Sequence, residues 1–282
     1  MRNQPRFEDS YILGELIEEG SQGSVFVATS KHNPQQKFAV KIIKRKNMST
    51  FAKEAVLREV SIMRELTEAG VPNTNSMLAF FESSNKFYIV QELAVGGDVL
   101  HHVKNKGAYT ENEARLLVTK ILRTIQQLSQ HNICHRDLKP DNLLLSDGSD
   151  NTSVWVADWG FATQMKEGEL MKQRCGTLAY VAPEILAGLQ YDQSVDLWSL
   201  GCILYLVLCR RAAFHHKDPK ELKNMILLGE YQFYDKHNLS EEAKECIRGL
   251  LQTNPRKRWT AEQALNCAWL SNHDSVSGVL RQ

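Results

Sequence analysis

The 282-residue chain reads as an α+β protein of two lobes, the first small and strand-rich, the second larger and helical. Three observations predict it. Apolar and polar residues alternate through the early part, the two-residue repeat of half-buried strands. From about Asp98 onward the apolar spacing becomes that of amphipathic helices. Between the two regions lies Ala94–Gly97, small and glycine-bearing, a natural joint. A chain of this length buries enough apolar surface to fold without disulfide or metal staples.

The elements follow in order. Tyr11–Leu16, Ser24–Thr29, Phe38–Ile43 and Phe87–Glu92 alternate and read as strands. One main helix interrupts them: in Phe51–Leu66, Val56, Val60, Met63 and Leu66 recur at three- and four-residue spacing, with charges between. Helical spacing then marks Glu111–Gln130, Val195–Cys209, Pro219–Leu228, Ser240–Leu251 and Thr260–Leu270. Thr110 with Glu113 has capping-box chemistry, whereas Ser240 with Ala243 marks a helix start without the reciprocal glutamate. These patterns divide the chain into an extension at 1–10, a first lobe at 11–93, a second at 94–270 and a short polar tail at 271–282.

Composition removes several classes of function. With 34 basic against 33 acidic residues the net charge is +1, so bulk attraction to nucleic acid or to an anionic membrane is not expected. The six cysteines form no C-x-x-C pair and no Cys/His cluster, which predicts reduced thiols in a cytoplasmic protein, with the nucleus as a second location. Met1–Ser10 lacks the apolar core of a secretory signal, and Arg2 stands where N-myristoylation requires glycine. The apolar run Leu197–Cys209 is too short to span a bilayer.

Chemistry concentrates in His135-Arg136-Asp137-Leu138-Lys139-Pro140-Asp141-Asn142. A carboxylate at Asp137 can accept a hydroxyl proton, an ammonium at Lys139 can neutralise a phosphoryl group in transfer, and the amide oxygen of Asn142 can hold a divalent metal. The stretch matches H-R-D-L-x-x-x-N, and Asp158-Trp159-Gly160 follows where an Asp-Phe-Gly element belongs. On these residues the chain resembles the protein kinase family. Further motifs agree. Glu18 to Val25 carries Gly20 and Gly23 between two strands, which excludes Rossmann and Walker loops, since both need a helix after the glycines. It is similar to the kinase loop G-x-G-x-x-G-x-V, with Glu18 at the first glycine position. Phe38-Ala39-Val40-Lys41 resembles V-A-I-K, with Glu59 on the following helix as the lysine's partner.

The resemblance covers about Tyr11 to Leu270 and implies a bilobal protein-kinase-like fold acting with ATP and Mg2+. It implies Asp137, Lys139, Lys41 and Glu59 as catalytic residues and Asn142 and Asp158 as metal ligands. Around the nucleotide it implies Ile17, Gly20, Gly23, Val25, Ala39, Lys41, Glu92, Leu93, Asp98 and Leu144. It also implies an apolar stack of Met63, Met77, His135 and Trp159, an ion pair of Glu184 in Ala182-Pro183-Glu184 with Arg258, and a brace on the catalytic loop from Asp196. Lys139 and Gly176-Thr177 resemble serine/threonine kinases, and Ser240-Glu241-Glu242-Ala243-Lys244 with Thr260–Leu265 resembles the calcium/calmodulin-dependent group. The partners implied are protein or peptide substrates, with arginine before the acceptor paired to Asp98 and serine favoured by Phe161.

Control departs from the pattern. Thr163 is the only hydroxyl between Gly160 and Cys175, and Gln173 stands where an activating phosphate is usual. Glu167 or Glu169 is then expected to supply the anion for Arg136. Ser271–Gln282 is neither basic nor amphipathic, so no calmodulin binding is expected of it. The run Arg210–Lys217 reads as a solvated turn. Glu18 and Trp159 leave an alternative, a pseudokinase that senses ATP or scaffolds; the complete charge-handling set favours turnover. Because Glu18 sets a carboxylate near a polyanion, Glu18→Gly is expected to tighten ATP binding. Titration calorimetry checks this, and an unchanged affinity refutes it.

Overall fold

The computed structural model describes residues 5–20 and 23–271. Ser21 and Gln22 of the glycine-bearing hairpin, and the tail expected beyond residue 271, lie outside the described residues. The chain divides into two compact units, Met1–Val95 and Gly96–Gln282.

The first unit contains α1 (Phe7–Ser10), β1 (Tyr11–Gly20), β2 (Gly23–Ser30), β3 (Lys37–Lys44), α2 (Thr50–Glu68), β4 (Met77–Glu82) and β5 (Lys86–Glu92). Its strands form one antiparallel sheet in the order β1-β2-β3-β5-β4. Phe38, Val40 and Ile42 of β3 join Phe7, Ala28, Tyr88 and Val90 in an apolar cluster on one face. Ala39, Lys41 and Ile43 alternate to the other face, where Lys41 meets α2. Burial on both faces explains why β3 reads as a nearly unbroken apolar run. The Ser49 hydroxyl caps α2 by accepting from the Ala52 N–H at 3.2 Å.

Three features of this unit were not in the sequence pattern. β4 lacks clean alternation: Leu78 is exposed and the register slips between Met77 and Ala79. Residues 7–10 of the extension pack against the sheet. Phe7 is buried and stacks on Tyr88 at 4.6 Å and Tyr11 at 5.4 Å, and the Tyr88 hydroxyl donates to Glu8 at 3.1 Å. The third is a bulge at Ile17, with Leu16 opposite Phe26 and Glu18 opposite Val25.

The second unit runs through α3 (Val99–Asn105), α4 (Glu111–Gln130), β6 (Ile133–Cys134), β7 (Leu143–Leu145), β8 (Val154–Val156), β9 (Thr163–Gln164) and α5 (Pro183–Ala187). It continues with α6 (Ser194–Cys209), α7 (Pro219–Leu228), α8 (Glu241–Leu250), α9 (Ala261–Leu265) and α10 (Ala268–Ser271). β6 pairs with β9 and β7 with β8. Every residue of α6 from Val195 to Cys209 is buried, so its sequence shows a continuous apolar run and not a stripe. The capping box of α4 forms as expected, with Glu113 Oε2 accepting from the Thr110 N–H at 2.8 Å. The single helix expected over Thr260–Leu270 is instead α9 and α10, because the chain turns out of helical geometry at Asn266. The basic run Arg210–Lys217 is largely structural: Arg210 donates to the carbonyls of Val103 and Lys104, Arg211 covers the Tyr234 ring, and Phe214 stacks on Trp198.

One carboxylate ties three helices of this unit together. Glu111 accepts from the Ser240 N–H and hydroxyl and from Trp269 Nε1, each at 2.8 Å, joining the starts of α4 and α8 to α10. Burial pushes its carboxyl pKa up, but the bonds from Ser240 and Trp269 and the Arg115 charge outweigh that and hold it below the ordinary 4.5. A depressed folded pKa contributes stability that is present above the unfolded value and lost as pH falls through the folded one. The melting temperature should therefore drop as pH falls below about 4.5, and Glu111→Gln should flatten that acid limb. Calorimetric melts across pH 3–6 check it, at about half-unit steps.

Candidate active site

The catalytic-loop residues lie between β6 and β7, and the backbone there is held in a shape that side chains rarely adopt unaided. Arg136 has φ +68°. The Asp196 carboxylate, buried in the first turn of α6, accepts from the backbone N–H of His135 at 2.8 Å and of Arg136 at 2.9 Å. Both oxygens thus fasten the turn that carries the following aspartate. The brace expected of Asp196 is a pair of charge-assisted bonds to backbone.

Asp137 is buried, and both of its carboxylate oxygens are engaged. Oδ1 accepts from the Thr177 N–H and hydroxyl at 2.8 Å each; Oδ2 accepts from Lys139 Nζ at 2.9 Å and from Asn142 Nδ2 at 3.3 Å. Burial lowers the Lys139 pKa, but the bond to Asp137 and the charges of Asp137, Asp141 and Asp158 outweigh it and raise the ammonium above its ordinary value. Asn142, at the end of a 3₁₀ turn, also donates Nδ2 to the Asp137 carbonyl at 2.9 Å. With the amide nitrogen committed, Oδ1 is the end left to act as a metal ligand. Gly176 is required beside this group: its φ is +99°, and a Cβ there would lie 2.8 Å from the Arg136 carbonyl.

Asp158 takes the left-handed conformation, φ +61°, immediately before Trp159. Trp159 is fully buried with its ring 4.9 Å from that of His135. The Asp137 N–H donates to His135 Nδ1 at 3.3 Å, so the imidazole carries its hydrogen on Nε2 and gives it to the Ala157 carbonyl at 3.1 Å. A neutral histidine therefore links the turns that carry Asp137 and Asp158. Hard oxygen donors at Asn142 and Asp158 suit Mg2+. No group of three or more His, Cys, Asp or Glu able to hold a metal occurs among the described residues, so phosphate oxygens and water would have to complete that ion's shell.

In the first unit, Lys41 Nζ lies 2.6 Å from Glu59 Oε1 and both residues are buried. β3 supplies the lysine and the inward face of α2 the glutamate, the pairing expected from sequence. Gly20 pairs with Gly23 across the hairpin. Gly23 has φ +146°, and a Cβ on it would meet the Ile42 carbonyl at 2.6 Å, so the sheet itself demands this glycine. Ile17 is half exposed on β1, Val25 and Ala39 lie on β2 and β3, and Glu92 Oε2 at the end of β5 accepts from the Ser76 N–H at 3.3 Å, with Leu93 following. In the second unit Asp98 and Leu144 meet in a β-bridge. Asp98 also caps α3, its Oδ1 accepting from the His101 N–H at 2.8 Å, a duty not expected from the sequence.

The expected anion for Arg136 is a correction. Its guanidinium donates to the Phe161 carbonyl at 2.8 Å, to Gln173 Oε1 at 3.4 Å and to the Tyr191 hydroxyl at 3.5 Å. Glu169 instead turns back on its own chain, accepting from the Lys166 N–H at 3.1 Å, and among the described residues no carboxylate forms an ion pair with Arg136. Glu167 makes no bond to it either. The short loop closed by Glu169 keeps that carboxylate local. Neither Thr177 as a bonding partner of Asp137 nor Tyr191 beside Arg136 was legible, since each contact spans 40 residues or more.

Glu184 and Arg258 form a bidentate pair at 2.7 and 3.0 Å, and Arg258 also donates to the carbonyls of Gln252 and Ser194.

Comparison with known proteins agrees with this geometry. Residues 11–270 match the protein kinase domain family. The chain is 33% identical over 288 residues to calcium/calmodulin-dependent protein kinase type 1 of Macrobrachium nipponense, covering 99% of this chain and 82% of that one. It is 38% identical over 276 residues to a Dictyostelium discoideum protein described as a probable myosin light chain kinase, covering 96% and 69%. To myosin light chain kinase A of Dictyostelium discoideum it is 34% identical over 274 residues, covering 96% and 92%. For the loop geometry, Asp196→Asn should destabilise the protein by about 2 kcal/mol, because one buried backbone N–H loses a charged acceptor. Urea denaturation measures it.

Proposed function

The chain belongs to the protein kinase family and is a protein serine/threonine kinase, and on that premise we propose that it moves the γ-phosphoryl of Mg-ATP to serines near basic residues. The observation that carries this reading is the organised Asp137 carboxylate, with Thr177 on one oxygen and Lys139 on the other. Asp137 orients the acceptor hydroxyl and takes its proton as transfer proceeds. Lys139 offsets charge on the phosphoryl group in flight. Lys41, steadied by Glu59, holds nucleotide phosphate oxygens. Asn142 and Asp158 would hold Mg2+, which would supply positive charge to offset that of the phosphates. Little covalent work remains for the protein, so rate comes from position and charge.

Substrate preference rests on two residues. Asp98 spends Oδ1 on its helix cap, leaving Oδ2 to pair with an arginine before the acceptor. Phe161, directly after the Asp-Trp-Gly element, favours serine over threonine. A reducing compartment, the cytoplasm and also the nucleus, suits the free cysteines.

Purified protein with labelled ATP and an arginine-bearing serine peptide should show transfer that a chelator abolishes and added Mg2+ restores. Asp137→Asn should lower turnover by about 10²–10⁴-fold. Absence of transfer would return the chain to a binding role, and full activity in the variant would remove Asp137 as the group that takes the hydroxyl proton. An arrayed peptide library reads the arginine preference in the same assay.

A further inference from the structure

Residues 171–177 run past Tyr191 into the catalytic loop and are fastened at alternate positions on the way. Met171 and Tyr191 exchange both backbone hydrogen bonds, at 2.8 and 3.0 Å. The Tyr191 hydroxyl donates to the Gln173 carbonyl at 2.5 Å. It lies 3.5 Å from Arg136 Nη1 and 4.0 Å from Cys175 Sγ. Two residues later Thr177 closes on Asp137 with two bonds. Arg174 lays its guanidinium against Gly188, the C-cap of α5, where the carbonyl end of the helix favours a cation.

Two features make the hydroxyl the centre of this arrangement. Tyr191 is buried, and burial pushes its phenol pKa up to about 12, so the group keeps the proton it donates. Arg136 is buried as well, yet among the described residues its guanidinium meets only neutral acceptors: a carbonyl, an amide and this phenol. The contacts around the Tyr191 hydroxyl are therefore made without an anionic or modified residue in the segment, consistent with the scarcity of hydroxyls there.

We propose that the Tyr191 hydroxyl is a positioning group for phosphoryl transfer: it clamps residues 171–175 to the Arg136 side of the catalytic loop and so sets the register in which Thr177 orients Asp137, with no phosphorylated residue required. The inference rests on the kinase reading and deepens it by naming what holds the segment in its working form. Without the hydroxyl, the Gln173 carbonyl loses its donor and the segment leaves the catalytic loop more often.

Tyr191→Phe keeps the buried ring and removes only the hydroxyl. In unphosphorylated protein, turnover of the serine peptide should fall about tenfold, the scale of one well-made hydrogen bond, while the ATP dissociation constant stays unchanged. Trypsin should cut faster after Lys172 and Arg174, a readout that does not require catalysis. Gln173→Glu in the Tyr191→Phe background places a carboxylate beside Arg136 and should recover most of the lost turnover, which a packing defect would not permit. Turnover in Tyr191→Phe within about twofold of the parent overturns the proposal, as does a loss that Gln173→Glu leaves in place together with a lowered melting temperature. If the parent protein transfers no phosphate, the kinase reading fails by itself, and the trypsin comparison still decides whether the hydroxyl clamps the segment.

Discussion

The catalytic loop owes its shape to a carboxylate that never needs to touch substrate. Asp196 sits in the first turn of α6, a helix buried on all sides, and gives both oxygens to backbone N–H groups of His135 and Arg136. Those bonds hold Arg136 at a positive φ, a conformation costing of order 1–3 kcal/mol for a residue with a side chain. From that turn follow the direction of the Arg136 side chain, the burial of Asp137 and the neutral imidazole of His135 that reaches the Ala157 carbonyl. A helix immobilised by its own burial is thus the anvil on which a strained polar loop is formed.

The two departures from the family pattern act in different places. Trp159 is absorbed by packing: it is fully buried against His135, and the backbone of Asp158 still reaches the left-handed conformation before it. Glu18 is not absorbed in this way. It lies exposed near the end of β1, beyond the bulge at Ile17 and opposite Val25. One substitution is a question of volume, the other of charge.

Legibility followed the range of the interactions. Short-range chemistry was readable: the Thr110–Glu113 capping box, the apolar run of β3, and the catalytic-loop motif. Pairs between elements, such as Lys41 with Glu59 and Glu184 with Arg258, were readable only because a family resemblance supplied the partner; residue spacing alone does not specify a contact across 74 positions. Contacts without such a template were missed. Tyr191 against Gln173, Glu111 against Ser240 and Trp269, and the diversion of Asp98 into a helix cap all depend on tertiary placement. The expectation for Glu167 and Glu169 failed for a physical reason: a carboxylate able to close a tight turn on its own chain does so at less entropic cost than reaching a distant guanidinium.

Phe7 carries a practical consequence for where this molecule begins as a folding body. The family match starts at residue 11, yet the aromatic ring at position 7 is sandwiched by Tyr11 and Tyr88 and abuts Phe81 edge-on. A fragment trimmed to the homology boundary would bare a cluster of aromatic faces to water on the back of the sheet. Such a patch invites self-association. Homology delimits what evolution shares; the ring stack delimits what the polymer needs in order to stay monodisperse.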